Sequence, residues 1–113
     1  MEAVGVLGGD ADGRARVAIP LPNLAGDRAF LADPRSQFEA ERALRQSNLI
    51  LLAIYHTHPG GGVQLSALDR AFAIYQPVVH LVIALARPRQ LEEEMRAYKV
   101  NKDTAIEVEI RIE

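Results

Sequence analysis

Five residues of this chain carry side chains that could hold a metal or act beside one: Glu2, His56, His58, Ser66 and Asp69. His56 and His58 lie two apart in "YHTHP". On a strand, residues two apart point to the same face, so both imidazoles leave one side while Thr57 leaves the other. Neutral imidazoles are good ligands for zinc. Pro59 has no N–H to give a ladder and ends the strand. Asp69 follows in the first turn of a helix that the Gly60–Gly62 loop folds back over the strand end. Its carboxylate could complete a third ligand. Ser66-x-x-Asp69 before an apolar run also matches a capping box, in which Asp69 bonds the backbone at Ser66 instead. A carboxylate in a first helical turn is favoured by the helix dipole as well. Both roles are open at this point. Ser66 could cap the helix and still present its hydroxyl to a substrate.

Two imidazoles and one carboxylate make three N/O donors without sulfur. Structural zinc sites are usually closed by four protein ligands, whereas catalytic sites keep one position for water. A three-ligand set therefore points to hydrolysis, with hydroxide available near neutral pH. Such a site needs a group to carry the proton to the leaving amine. Glu2, at the head of the first strand, is one candidate; Glu39 and Glu41 are others.

The surrounding elements must position these groups. "AVGVLGG" at 3–9 reads as a buried strand, and "DADG" at 10–13 as a turn into a strand over 14–19. Pro20 and Pro22 are expected to end that strand, with 20–34 irregular. Residues 35–47 read as a helix, with Ala40, Ala43, Leu44 and Ser47 on one narrow face and Phe38 nearly opposite. "LILLAIY" at 49–55 is a continuous apolar run, as expected of a central strand buried on both faces. A helix fits 67–75, with Leu68, Ala71, Phe72 and Tyr75 at helical spacing, and Pro77 stops it. "VVHLVIALA" reads as another buried strand, which makes His80 a packed core residue. "EMRAYKV", the turn "NKD" and "AIEVEIRI" read as a hairpin whose last strand sets Ile106, Val108, Ile110 and Ile112 on one face. Helices mixed with five or six strands, several joined as hairpins, predict an α+β fold: a mixed sheet with flanking helices, in one domain over 1–113.

The pattern Glu2…His56-Thr57-His58-Pro59…Ser66-Ala67-Leu68-Asp69 resembles the motif of the JAMM (MPN+) zinc metalloproteases. That motif runs Glu, His-x-His-Pro, seven residues, Ser-x-x-Asp, and seven residues, Pro59 to Leu65, lie between His58 and Ser66 here. "EAVGVLGG" is similar to the family's Glu-x-x-Gly opening, and the helix before "LLAIYHTHP" fits its order of elements. The resemblance covers nearly the whole chain. It implies an MPN/JAB-domain fold with a cytidine-deaminase-like three-layer arrangement. It implies zinc held by His56, His58 and Asp69, with Glu2 as general base. Ser66 would stabilise the developing oxyanion, a role worth roughly 3 kcal/mol where it has been measured by mutation. The implied reaction is hydrolysis of a peptide or isopeptide bond after the C-terminal Gly-Gly of a ubiquitin-like protein, whose tail adds to a strand edge. Family members usually carry a helix before the Glu, whereas only Met1 precedes Glu2 here. The length leaves no room for the ubiquitin-recognition insertions of eukaryotic deubiquitinases. The second departure favours the small stand-alone prokaryotic type, which acts on sulfur-carrier proteins with ubiquitin-like folds, whereas the first favours a non-catalytic module. The alternative is a non-catalytic MPN interaction module.

Composition excludes several rivals. The net charge is -2 over 113 residues, which gives no electrostatic footprint for nucleic acid or an anionic membrane. No cysteine is present, which rules out disulfides, thiolate zinc sites and zinc deaminases. Amidohydrolase barrels also use His-x-His but need about 250 residues. The DNA-repair-associated branch of JAMM-like proteins reads Asn-His-Pro-Ser-Gly where this chain has "THPGG". The apolar runs are of strand length, far short of the ~20 residues of a spanning helix. Glu2 and Asp10 stand where a signal peptide needs cations. A cytoplasmic protein is the expectation.

Overall fold

The computed structural model describes residues 3–24, 32–58, 78–84, 95–100 and 104–111. Six strands and one helix are described: β1 (Val4–Gly9), β2 (Ala15–Leu21), α1 (Pro34–Gln46), β3 (Ile50–His58), β4 (Val79–Ala84), β5 (Met95–Val100) and β6 (Ala105–Val108). The strands form one mixed sheet in the order β2-β1-β3-β4-β5-β6. The fold is α+β. The helix expected over 67–75 lies outside the described residues.

The only parallel pair among the described strands is β3 with β4, at the centre of the sheet; β1 pairs β2 and β3 antiparallel, and β5 pairs β4 and β6 antiparallel. Parallel neighbours need a long crossover. The chain between His58 and Val79 supplies it, and that crossover carries Ser66 and Asp69.

Register shows which side chains share a face. Val4 lies opposite His56 and Val6 opposite Ile54. Across the parallel junction Ile54 faces His80 and His56 faces Val82. Directly opposed residues point the same way, so Val4, Val6, Ile54, His56, His80 and Val82 line one face. The helix α1 covers part of that face: Ala40 joins Val4, Val6, Ala32 and Ile54 in the core. At Gly8 a Cβ would overlap the side chain of Leu44, so the close approach of helix to sheet requires glycine.

Helix α1 starts at Pro34, whose lost N–H is an orphan at that position. It ends with Asn48 at φ 59, with Leu49 N–H on the Leu44 carbonyl and Asn48 N–H on the Arg45 carbonyl. That Schellman geometry turns the chain directly into β3.

Three expectations are corrected. The strand predicted to stop before Pro20 continues to Leu21, with Pro20 opposite Gly5. An edge strand has one neighbour, so the missing N–H costs it nothing. The buried face of α1 is Gln37, Ala40 and Leu44, while Ala43 and Ser47 are exposed. Phe38 is 60% exposed, as its place opposite Ala40 and Leu44 demands. The final strand stops at Val108, four residues before Ile112, and Ile106 is 59% exposed. Alternation identifies a face; it does not supply anything to cover that face at a sheet edge.

Candidate functional site

The histidines sit where β3 runs to its end beside β4. His56 is fully buried and His58 half-buried. Their Nε2 atoms stand 3.0 Å apart, with ring centroids at 4.9 Å and planes tilted by 58°. The two Nε2 atoms therefore meet at one place, within hydrogen-bond distance of each other. Two Zn–N bonds of about 2.05 Å at a tetrahedral angle set their nitrogens about 3.3 Å apart. The observed separation is within a few tenths of an ångström of that value. An all-nitrogen pair of this kind suits a borderline divalent metal.

Thr57 lies between the two histidines, on the other face, and it is buried. Its hydroxyl accepts a hydrogen bond from Ala3 N–H at 2.8 Å, and its own N–H donates to the Ala3 carbonyl at 2.9 Å. These two bonds staple the start of β1 to the end of β3. Sequence reasoning noted only that Thr57 points away from the histidines. The available signal was a buried β-branched hydroxyl, at a strand terminus, that must find a partner.

Tyr55, on the same face as Thr57, lays its ring where a Cβ of Gly5 would be. This explains a glycine in the middle of β1. Burial pushes the Tyr55 phenol up from its usual range, so it stays neutral. His80 is fully buried in β4, opposite Tyr98 of β5. The Tyr98 phenol is also pushed up, first by burial, then by Glu107, against the lowering effect of Arg96.

Glu2, Ser66 and Asp69 lie outside the described residues, as do Arg87, Arg89 and the acidic run at 92–94. Among the described residues no group of three His, Asp or Glu side chains comes together. Glu39 and Glu41 belong to α1, where Glu39 pairs with Arg35 at 3.7 Å on the exposed surface. Asn23 forms an isolated bridge with Ala32, so its backbone has a structural task in the loop after β2. No helix among the described residues is long and apolar enough to cross a membrane.

The described residues thus set a strand-end histidine pair beside the parallel junction of a six-stranded mixed sheet. Residues 1–101 match the family model of prokaryotic homologs of the JAB domain, and the chain belongs to that family. It is 44% identical over 70 residues to a probable TtuB-protein conjugate cleaving protease of Thermus thermophilus, a match covering 60% of this chain and 46% of that protein. It is 32% identical over 84 residues to a desampylase of Haloferax volcanii, covering 72% of this chain and 60% of that one. The match thus spans about half the length of these two relatives. A Desulfitobacterium hafniense protein solved in solution superposes with a TM-score of 0.86 at 32% identity, over 99% of this chain and 78% of that one. A JAB1/MPN-domain protein of Archaeoglobus fulgidus shares the fold, with a TM-score of 0.63 at 18% identity, over 98% of this chain and 79% of that one.

Proposed function

We propose that this chain is a zinc-dependent isopeptidase of the JAB family, which hydrolyses the bond after the C-terminal Gly-Gly of a ubiquitin-like or sulfur-carrier protein. The observation that carries the reading is the convergence of the His56 and His58 Nε2 atoms at 3.0 Å. A relative named as a probable TtuB-protein conjugate cleaving protease, and a second named as a desampylase, support the substrate class.

His56, His58 and Asp69 would hold the zinc, which when bound supplies Lewis acidity and hydroxide near neutral pH. Glu2 would accept the proton of the attacking water and return it to the leaving lysine amine. Its neighbour Ala3 is tied to Thr57, the residue between the two histidines, so the chain brings Glu2 to within one residue of that staple. Ser66 would donate a hydrogen bond to the carbonyl oxygen as it gains charge. The products balance as one carboxylic acid and one amine from amide and water.

The test is hydrolysis of a sulfur-carrier protein extended past its Gly-Gly end, with and without chelator. Mass spectrometry should find the cut after the second glycine, and chelation should stop it. A cut elsewhere, or one indifferent to chelator, removes the mechanism.

A further inference from the structure

The last rung between β1 and β3 is closed by a side chain. In an antiparallel ladder a hydrogen-bonded pair exchanges two N–H···O=C bonds. One rung past Val4, which lies opposite His56, Thr57 N–H keeps its bond to the Ala3 carbonyl at 2.9 Å. Ala3 N–H goes instead to the Thr57 hydroxyl, at 2.8 Å. The hydroxyl thus stands where a backbone carbonyl would otherwise accept. Thr57 is 8% exposed, so little water competes for that bond. A β-branched side chain is stiff at χ1, and its oxygen therefore keeps its place relative to the β3 backbone. That backbone carries His56 on one side of Thr57 and His58 on the other.

The amide of Ala3 is also the peptide that joins it to Glu2. Six atoms of a peptide share one plane, the preceding Cα among them. A residue at the head of a strand can swing that plane by turning about its N–Cα bond. With its N–H held by Thr57, Ala3 cannot turn in this way without losing the bond. The direction in which the chain continues to Glu2 is thereby referred to the strand end that carries the two histidines. Consecutive Cα atoms are about 3.8 Å apart, so little chain lies between this anchor and the Glu2 side chain. The Tyr55 ring braces β1 from the same side two residues on, where it lies over Gly5.

We propose that Thr57 is a positioning residue for the Glu2 carboxylate: its hydroxyl fixes the base against the same strand end that holds the two imidazoles. The inference rests on the isopeptidase reading, in which Glu2 accepts the proton of the attacking water. It gives the side chain between the two histidines a part in the reaction, although that side chain points to the opposite face of the sheet. A residue that merely strengthened the sheet would lower stability when cut and leave the carboxylate in place in every molecule that stays folded. A positioning residue costs turnover in fully folded protein, because an ångström of misplacement is worth about 10²-fold.

The first measurement needs no turnover. Protein labelled with carbon-13 at its glutamate carboxyls is loaded with cobalt(II) in place of zinc, and the Glu2 signal is assigned from Glu2→Gln. The unpaired electrons of cobalt shift nearby nuclei steeply with distance. The wild-type chain should give a strongly shifted Glu2 line, and Thr57→Ser, which keeps the acceptor, should retain it. Thr57→Val, which keeps the shape without the acceptor, should lose most of the shift; Thr57→Ala repeats the test if that variant melts early. A Glu2 line that is the same in all folded variants overturns the proposal, as does a chain that binds no cobalt. The second measurement is hydrolysis of the extended sulfur-carrier protein at saturating substrate. Thr57→Val should lower kcat about 10²-fold with KM and zinc content unchanged, and Thr57→Ser should restore it. Zinc affinity falling together with kcat would make Thr57 a support of the histidines and overturn the proposal. A wild-type chain that hydrolyses no such substrate, while its Glu2 signal depends on the hydroxyl, ends the isopeptidase reading and leaves the positioning role standing.

Discussion

At the end of β3, Thr57 grips Ala3 through two hydrogen bonds, and His56 is sealed under the sheet's covered face. Two strands away, near the start of β5, the ladder to β6 stops and a cleft takes its place. The first holds the two Nε2 atoms 3.0 Å apart on a strand packed on both sides, with Thr57 tied to Ala3. At the second, β5 runs on to Met95 while its ladder with β6 ends at Ala97↔Val108. A strand end held by neighbours and buried keeps one arrangement; one that has lost its ladder is held by fewer contacts.

The largest effects should come from breaking the rigid end. His58→Ala should abolish both hydrolysis and the rise in melting temperature on adding zinc. The unsubstituted protein should gain about 2.7 kcal/mol at a free metal concentration a hundred times Kd. Calorimetry with and without zinc reads this directly, and a His58→Ala protein still stabilised by zinc would place the metal elsewhere. Glu2→Gln should lower kcat by about 10²–10⁴ while zinc content is kept. Metal analysis of the inactive variant separates a lost base from a lost site, and a non-catalytic module would keep its partner unchanged.

Packing gives the next contrast. Ile54, 1% exposed between Val6 and His80, should cost about 2–5 kcal/mol when cut to Ala. Ile106, 59% exposed on β6, should stay within about 0.5 kcal/mol under the same change. Urea titration of both variants checks the difference, and equal costs would mean that β6 is covered in solution. Thr57→Val removes the acceptor for Ala3 N–H at constant shape, for about 1 kcal/mol. Activity should fall by more than that stability loss explains, because Glu2 adjoins Ala3 in the chain. Smallest of all, Arg96→Met, which cuts the part-exposed ion pair to Glu107, should cost under about 1 kcal/mol and matter less at high salt.

Much of the frame was legible in the sequence. Continuous apolar runs located β1, β3 and β4, and helical spacing located α1 to within one residue at each end. The His-Thr-His alternation foretold that both rings share a face. Other features were illegible for physical reasons. Pro20 signals a strand end to any local reading, and only its place at the sheet edge, beside a single neighbour, lets the strand run on. The alternation through Ile112 promised a longer last strand, but the ladder to β5 ends at Ala97↔Val108 although β5 itself extends to Met95. Gly5 looked like part of a motif; the ring of Tyr55 lying over it is a cross-strand fact.

The sequence by itself determined the chemistry on offer: nitrogen and oxygen donors, no sulfur, and a serine and carboxylates at set intervals. Residue types and short-range spacing carry that information, because side-chain direction repeats along a strand whatever the strand pairs with. Only the tertiary structure decided that the two Nε2 atoms converge at 3.0 Å, that Thr57 ties Ala3 beside them, and that β5 and β6 split. Those depend on register between strands far apart in the chain. Register is a collective choice of the whole sheet, made where burial of one face leaves a single alignment that works.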